Sequence, residues 1–234
     1  MDASASASGV RRVEAPGTGR GALSLWLVDH PLVQHKLTLL RDRTTPMAMF
    51  RATVRELGLL LAFAASADLP RGERTIETPL AAMRAPVIDE SRLLIVPVLR
   101  AGLPLAEAFC ALMPTATVGH VGVYRDAHAH PVEYLVKLPP PPHAGPARCF
   151  VVDPMLATGN SAAHVIEVLL RRGVSLSDVR MVSLLAAPEG LDRLGRSFPG
   201  LSVHVAAIDE RLDENAYIVP GLGDAGDRLF GTDH

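Results

Sequence analysis

A chain of 234 residues with 48% hydrophobic content can bury one sizeable core, so a single domain is the default. A formal net charge of -2 excludes the strongly basic balance of a nucleic-acid-binding domain, and no run of 18 or more apolar residues is available to cross a membrane. Two cysteines, Cys110 and Cys149, make neither a disulfide framework nor a zinc cluster, and they read as inert core thiols of a reducing, cytoplasmic compartment.

Residues 1–22 are rich in Ala, Ser and Gly and lack the apolar stretch of a signal peptide. They read as a disordered tail ahead of one domain over 23–234. Residues 23–28 read as a short strand, Asp29-His30-Pro31 as its end, and 32–40 as a helix. His30 and His35 read as structural or interface residues. Thr45 before Pro46 is a helix start, with Thr as cap and Pro in the first turn. Met47, Phe50, Val54, Leu57 and Leu61 then recur at helical spacing, which carries the helix to about Ala67.

Strands are expected over 92–98 and 117–123, with a helix over 103–112 between them. A further strand over 132–137 pairs with 121–124 through a polar turn at 125–130 that holds His128 and His130. The proline run 139–142 is a stiff exposed connection. The second half alternates strand 148–152, helix 161–172, strand 179–185, helix 189–198 and strand 201–208. Nearly all-apolar strands between amphipathic helices specify an α/β fold with a parallel sheet covered on both faces. Ligands of such sheets bind at the carboxyl ends of the strands.

The richest segment is VVDPMLATGNSA, residues 151–162. A buried strand ends at Asp153, and a helix starts at Ser161. Unpaired N–H groups and the positive end of the helix dipole therefore lie at Thr158, Gly159, Asn160 and Ser161, a ready place for a phosphate. Thr158 and Ser161 add hydroxyl donors. Asp153 is too far back to cap the helix and is suited to accept from ribose hydroxyls. The GxxxxGK[ST] and GxGxxG patterns are both missing.

This acid, four residues, Thr-Gly-x-Ser order resembles the signature of the type I phosphoribosyltransferases. Pro154, where most relatives carry a second acid, looks like the uracil branch. The same branch is matched by His30-Pro31-Leu32-Val33 with His35-Lys36, by VPVLRAG at 96–102, and by YIVPGLGDAGDRLFGT at 217–232. The resemblance spans residues 27–232. It implies a parallel sheet flanked by helices, a β-arm and a C-terminal hood over the base. It also implies transfer of a phosphoribosyl group from phosphoribosyl pyrophosphate to uracil, giving UMP and pyrophosphate.

By the same resemblance, Arg100 and Arg125 hold the pyrophosphate of the donor, Arg125 from a flexible arm. Asp153, Pro154, Met155, Leu156, Ala157, Thr158, Gly159, Asn160 and Ser161 hold the ribose and 5′-phosphate. Asp153 and Arg100 carry the catalytic roles. Ile218, Gly223, Asp224 and Ala225 meet uracil, and Asp224 holds the donor's Mg²⁺ through water. A homodimer or higher homo-oligomer is implied. Some members respond to GTP as an effector and some do not, and no residue here decides between them.

The chain departs from the branch at Asn160, where Gly is usual, and its 125–130 turn is shorter. Asn tolerates a left-handed backbone better than most residues, so altered affinity is the most expected of it. The alternative reading is a non-catalytic nucleotide-binding regulator of the same fold. It is disfavoured because Arg100, Asp153, Thr158, Gly159, Ser161 and Asp224 are all present.

Overall fold

The expected alternation of strands and helices is present in a computed structural model, which describes residues 9–15, 23–125, 131–139 and 148–232, with the backbone alone at 123–125 and 131–132. The first half contains β1 (Val10–Val13), β2 (Ser24–Val28), α1 (Pro31–Arg41), α2 (Met47–Ala65), β3 (Gly72–Glu77) and β4 (Ala82–Val87). It continues through β5 (Leu93–Leu99), α3 (Leu103–Leu112), β6 (Thr117–Val118), β7 (His120–Arg125) and β8 (Pro131–Lys137). The second half contains β9 (Arg148–Val152), β10 (Met155–Leu156), α4 (Asn160–Arg171), β11 (Val179–Ala186), α5 (Pro188–Ser197) and β12 (Ser202–Ile208). It ends with β13 (Arg211–Leu212), β14 (Ile218–Val219) and α6 (Ala225–Phe230).

The main sheet runs β1-β2-β12-β11-β9-β5-β7-β8. The six strands from β2 to β7 in that order are parallel, and β1 and β8 close the two ends antiparallel. From β5 the chain passes through α3 to β7 on one side, then returns to β9 on the other side of β5. The boundary between β5 and β9 is therefore the topological switch point, outside which open α/β sheets hold their ligands.

Successive strand residues alternate between two cores. Ile95, Phe150 and Val152 face one core, packed under Leu37, Phe50, Leu57, Leu61 and Phe109 of α1, α2 and α3. Val96, Cys149 and Val151 face the other, under Val165, Ile166, Leu169, Leu191 and Leu194 of α4 and α5. The Phe109 and Phe150 rings meet 5.1 Å apart at a tilt of 56°, a favourable aromatic geometry. Each such buried side chain contributes about 1.5–3 kcal/mol. Cys149 is fully buried, and the apolar surroundings push its thiol well above the ordinary range, as an inert core thiol requires.

The structure departs from the sequence reading at several places. Val10–Val13, assigned to the disordered tail, forms β1 on the edge of β2. Its two valines reach opposite faces of the sheet, so a short strand in a low-complexity context still contributes to both cores. The β3–β4 hairpin was not expected, because its residues are almost all exposed and carry no apolar alternation. Residues 225–230, read as loop, form α6, capped by the Asp224 carboxylate accepting from Asp227 N–H at 3.0 Å.

Thr45 does not cap α2. Pro46 stands at the cap position, and the Thr45 hydroxyl instead donates to the Leu39 carbonyl at 2.6 Å. His30 caps α1 by accepting from Leu32 N–H at 3.1 Å, a structural role. The turn with His128 and His130 and most of the proline run lie outside the described residues.

Candidate active site

Arg100 follows the carboxyl end of β5, and Asp153 follows that of β9. The two flank the switch point. Arg125 ends β7, the other neighbour of β5; its side chain lies outside the described residues. Three adjacent parallel strands thus deliver the two arginine positions and the acid to one edge of the sheet.

The Arg100 loop is pressed onto this edge. The Leu99–Arg100 peptide is cis. A Cβ on Gly102 would lie 2.4 Å from the Val152 carbonyl oxygen, which only a glycine at this turn avoids. The exposed Arg100 guanidinium sits 5.6 Å above the ring of Phe230 on α6, a cation–π distance. The Arg100 loop and the C-terminal hood meet through this pair.

The segment 153–159 is strapped along the end of β11. The Pro154 carbonyl accepts from Leu184 and Leu185 N–H at 3.1 Å each, and the Leu156 carbonyl from Ala187 N–H at 2.9 Å. α5 packs directly behind it: a Cβ on Gly190 would lie 2.4 Å from the Ala157 oxygen. Gly159 occupies the α4 cap position with φ of 76°, and the helix begins at Asn160. The left-handed residue is thus Gly159, not Asn160. Asn160 has helical geometry, so its side chain carries no backbone penalty and the expected reason for tolerating it was the wrong one. The α4 N-terminus then faces the loop, where the Thr158 hydroxyl accepts from Asn160 N–H at 3.4 Å, and a helix start of this kind is suited to a phosphate.

The hood follows β12. β13 and β14 pair antiparallel, the Val219–Pro220 peptide is cis, and α6 closes the segment. Ile218 and Ala225 are buried, whereas Gly223 and Asp224 are exposed. Two arginines that the sequence reading missed clamp this hood to the helices. Arg41 donates to both Asp209 carboxylate oxygens, at 2.8 and 2.6 Å, and to the Gly221 carbonyl at 2.8 Å.

Arg228 donates to the Leu40 carbonyl, to Leu222 at 2.7 Å and to Asp42 at 2.7 Å, and lies 4.2 Å above the Phe50 ring. Partial burial lowers its pKa, and the Asp42 carboxylate opposes that shift. Glu189 of α5 adds a tie by accepting from Leu212 N–H at 3.0 Å. The one legible signal for these residues was an acid, Asp209, directly after a buried strand. Their partners lie too far along the chain for spacing to find.

Among the described residues no group of three or more His, Cys, Asp or Glu gathers to hold a metal, and no helix is long and apolar enough to cross a membrane. The edge therefore offers cationic and N–H donors for an anion, one acid beside them, and a backbone-rich cover.

The chain is similar to known proteins in sequence and in fold. The family model described as uracil phosphoribosyltransferase matches residues 27–232. A uracil phosphoribosyltransferase of Rhodospirillum centenum is 52% identical over 210 residues, covering 89% of this chain and 96% of its own. One from Ralstonia pickettii is 48% identical over 210 residues, covering 89% and 95%. Among solved structures, the AQ2163 protein of Aquifex aeolicus aligns with a TM-score of 0.82 at 33% identity, over 89% of this chain and 99% of that one. An adenine phosphoribosyltransferase from Trypanosoma brucei aligns with a TM-score of 0.53 at 10% identity, over 87% and 88%, a likeness of fold alone.

Proposed function

The chain belongs to the uracil phosphoribosyltransferase family, and from that premise we propose that it joins uracil to the ribose of phosphoribosyl pyrophosphate, releasing pyrophosphate and forming UMP. The observation that carries this reading is the convergence of Arg100 and the Asp153–Ser161 loop on the switch point, under a hood whose Phe230 touches Arg100.

In this reading the bond from the anomeric carbon to the pyrophosphate oxygen breaks as the bond from uracil N1 forms, through an oxocarbenium-like transition state. Arg100, joined by Arg125 from the arm, neutralises the charge that develops on the leaving pyrophosphate. Preorganised donors aimed at developing charge are worth several kcal/mol, as an order of magnitude. The α4 N-terminus with Thr158, Gly159, Asn160 and Ser161 holds the 5′-phosphate, and Asp153 orients the ribose hydroxyls. Ile218, Gly223 and Ala225 present backbone to the acceptor–donor–acceptor edge of uracil. A site built on such pairing rejects a mismatched base strongly, because its polar groups are left unpaired.

Mg²⁺ would enter as part of the substrate, held by the donor phosphates. Exposed Asp224, which keeps one oxygen on the Asp227 N–H, would meet it through water. Bound there, the ion would add charge neutralisation to the donor phosphates.

Self-association is part of the same proposal. The β3–β4 hairpin pairs with no other described strand, and Leu80 at its turn is 97% exposed. Light scattering on the purified protein gives the oligomeric state directly. The two free cysteines support action in the reducing cytoplasm.

The reaction is tested by supplying purified protein with phosphoribosyl pyrophosphate, Mg²⁺ and, in turn, uracil, cytosine, hypoxanthine or orotate, with and without EDTA and GTP. UMP from uracil alone, abolished by EDTA, is the expected result, and the GTP arm decides whether there is an effector. Donor binding without product from any base would overturn the proposal.

A further inference from the structure

The arm and the phosphate-loop helix are joined by a side chain that the mechanism above does not use. Glu133 lies on β8 opposite Val123 of β7, beside the irregularity in the ladder between Gly122 and Val123. Its Oε1 stands 2.9 Å from His164 Nε2 and 3.3 Å from Arg171 Nη2, both on α4. The Arg171 contact is a hydrogen bond. The His164 approach is a close contact without hydrogen-bond geometry, and His164 Nε2 is shut off from solvent with no hydrogen-bond partner.

The placement of this contact matters more than its strength. Positions 160, 164 and 171 fall on one stripe of α4, so the stripe that meets Glu133 begins at Asn160 of the phosphate loop. His164 lies about 6 Å along the helix from Asn160. Arg125 lies about 7 Å along β7 from Val123, the partner of Glu133. Glu133 therefore bridges the two elements close to their functional ends.

We infer that Glu133 is a positioning residue, which with His164 and Arg171 sets the separation between the arm's Arg125 and the N-terminus of α4. This rests on the proposed reading, in which Arg125 meets the pyrophosphate and the helix terminus meets the 5′-phosphate of one donor molecule. A molecule held at both ends is held well only when the two holders keep a fixed separation, and small misplacements are costly. Uracil, bound under the hood, does not depend on that separation.

The test is steady-state kinetics on the full chain for wild type, Glu133→Gln, His164→Gln and the double variant, varying each substrate in turn. Donor binding by calorimetry without uracil, and thermal midpoints, complete the set. The contact is partly exposed, which limits it to about fivefold. Each single variant is expected to raise KM and Kd for phosphoribosyl pyrophosphate about two- to fivefold, with kcat and the KM for uracil within about 1.5-fold. The double variant should be no worse than Glu133→Gln alone, because His164→Gln removes only one of the contacts that Glu133 makes.

Unchanged donor KM would overturn the inference. So would a parallel loss in kcat and both KM values with a lowered midpoint, which marks a merely structural role, or additive singles. His164→Gln keeps the test open if Glu133→Gln does not fold. An inactive wild type would sink the proposed reaction instead, so the two failures are distinguishable.

Discussion

Arg41 and Asp209 close a small ring with the backbone of the hood: the arginine grips both carboxylate oxygens and the Gly221 carbonyl, while the same carboxylate accepts from Gly221 N–H at 2.9 Å. The Asp209 side chain is 4% exposed and that of Arg41 is 27% exposed. The two partners are therefore not equivalent.

Removing the arginine strands a buried carboxylate, whereas removing the acid leaves a cation that water still reaches. Arg41→Met should cost about 3–5 kcal/mol of stability, and Asp209→Asn distinctly less. Urea denaturation of both variants checks the order, and equal costs would refute the argument. Both should also raise the KM for uracil, because the hood loses its clamp.

Gly190 lies where α5 touches the back of the phosphate loop. In Gly190→Ala the new methyl group must displace the Ala157 and Leu156 carbonyls, which lie 2.4 and 2.9 Å from its ideal position. Overpacking of this kind costs about 1–3 kcal/mol. The shift falls on the loop, so the KM for phosphoribosyl pyrophosphate should rise about tenfold or more, as an order of magnitude. A variant with normal donor KM would show that the loop does not depend on α5.

Asn160→Gly should leave activity nearly unchanged. Asn160 is already helical and Gly159 alone carries the positive φ, so glycine at 160 relieves no strain. In kcat/KM a change under about twofold is expected, and stability should fall by up to ~1 kcal/mol from glycine's backbone freedom. A large gain in activity would mean that the asparagine side chain obstructs the phosphate.

His204 makes stability depend on pH. Burial is the largest cause of its depressed pKa, helped by the Arg180 guanidinium and opposed by Asp68, and the value falls to about 4. Its ring stacks on Trp26 at 6.1 Å, which fixes it in this buried place. The unfolded chain binds a proton near pH 6.5 that the folded chain refuses until about pH 4. The stabilising contribution is therefore present above pH 6.5 and is lost as pH falls towards 4. Between pH 8 and pH 5 the loss is about 2 kcal/mol. In His204→Phe the difference in urea midpoint between those two pH values should shrink accordingly, and an unchanged difference would rule the group out.

Much of this was legible in the sequence because the signals are local. A run such as RCFVV followed by DPMLATG states its own strand, turn and helix start within a few residues. The residues that were missed have distant partners. Arg228 reaches the carbonyls of Leu40 and Asp42, and Arg51 reaches that of Leu229, across most of the chain. β1 was hidden by its surroundings, since Val10–Val13 owes its strand to pairing with β2 and not to its own composition. α6 was hidden by its glycines, and its one local signal was Asp224, which caps the helix but was read only for its contacts with ligands.

The clamps on the hood also fix when in the life of the chain the enzyme can exist. Arg228 closes on Leu40 across 188 positions, and Asp209 closes on Arg41 across 168. The sheet and its phosphate loop are encoded before the hood and can assemble while synthesis continues. The hood needs residues near 41 and residues near 228 at once, so it is the last part to form. A chain still tethered to the ribosome, or one cut ahead of Arg228, would have the sheet and its loops without the cover that Arg41 and Arg228 hold in place.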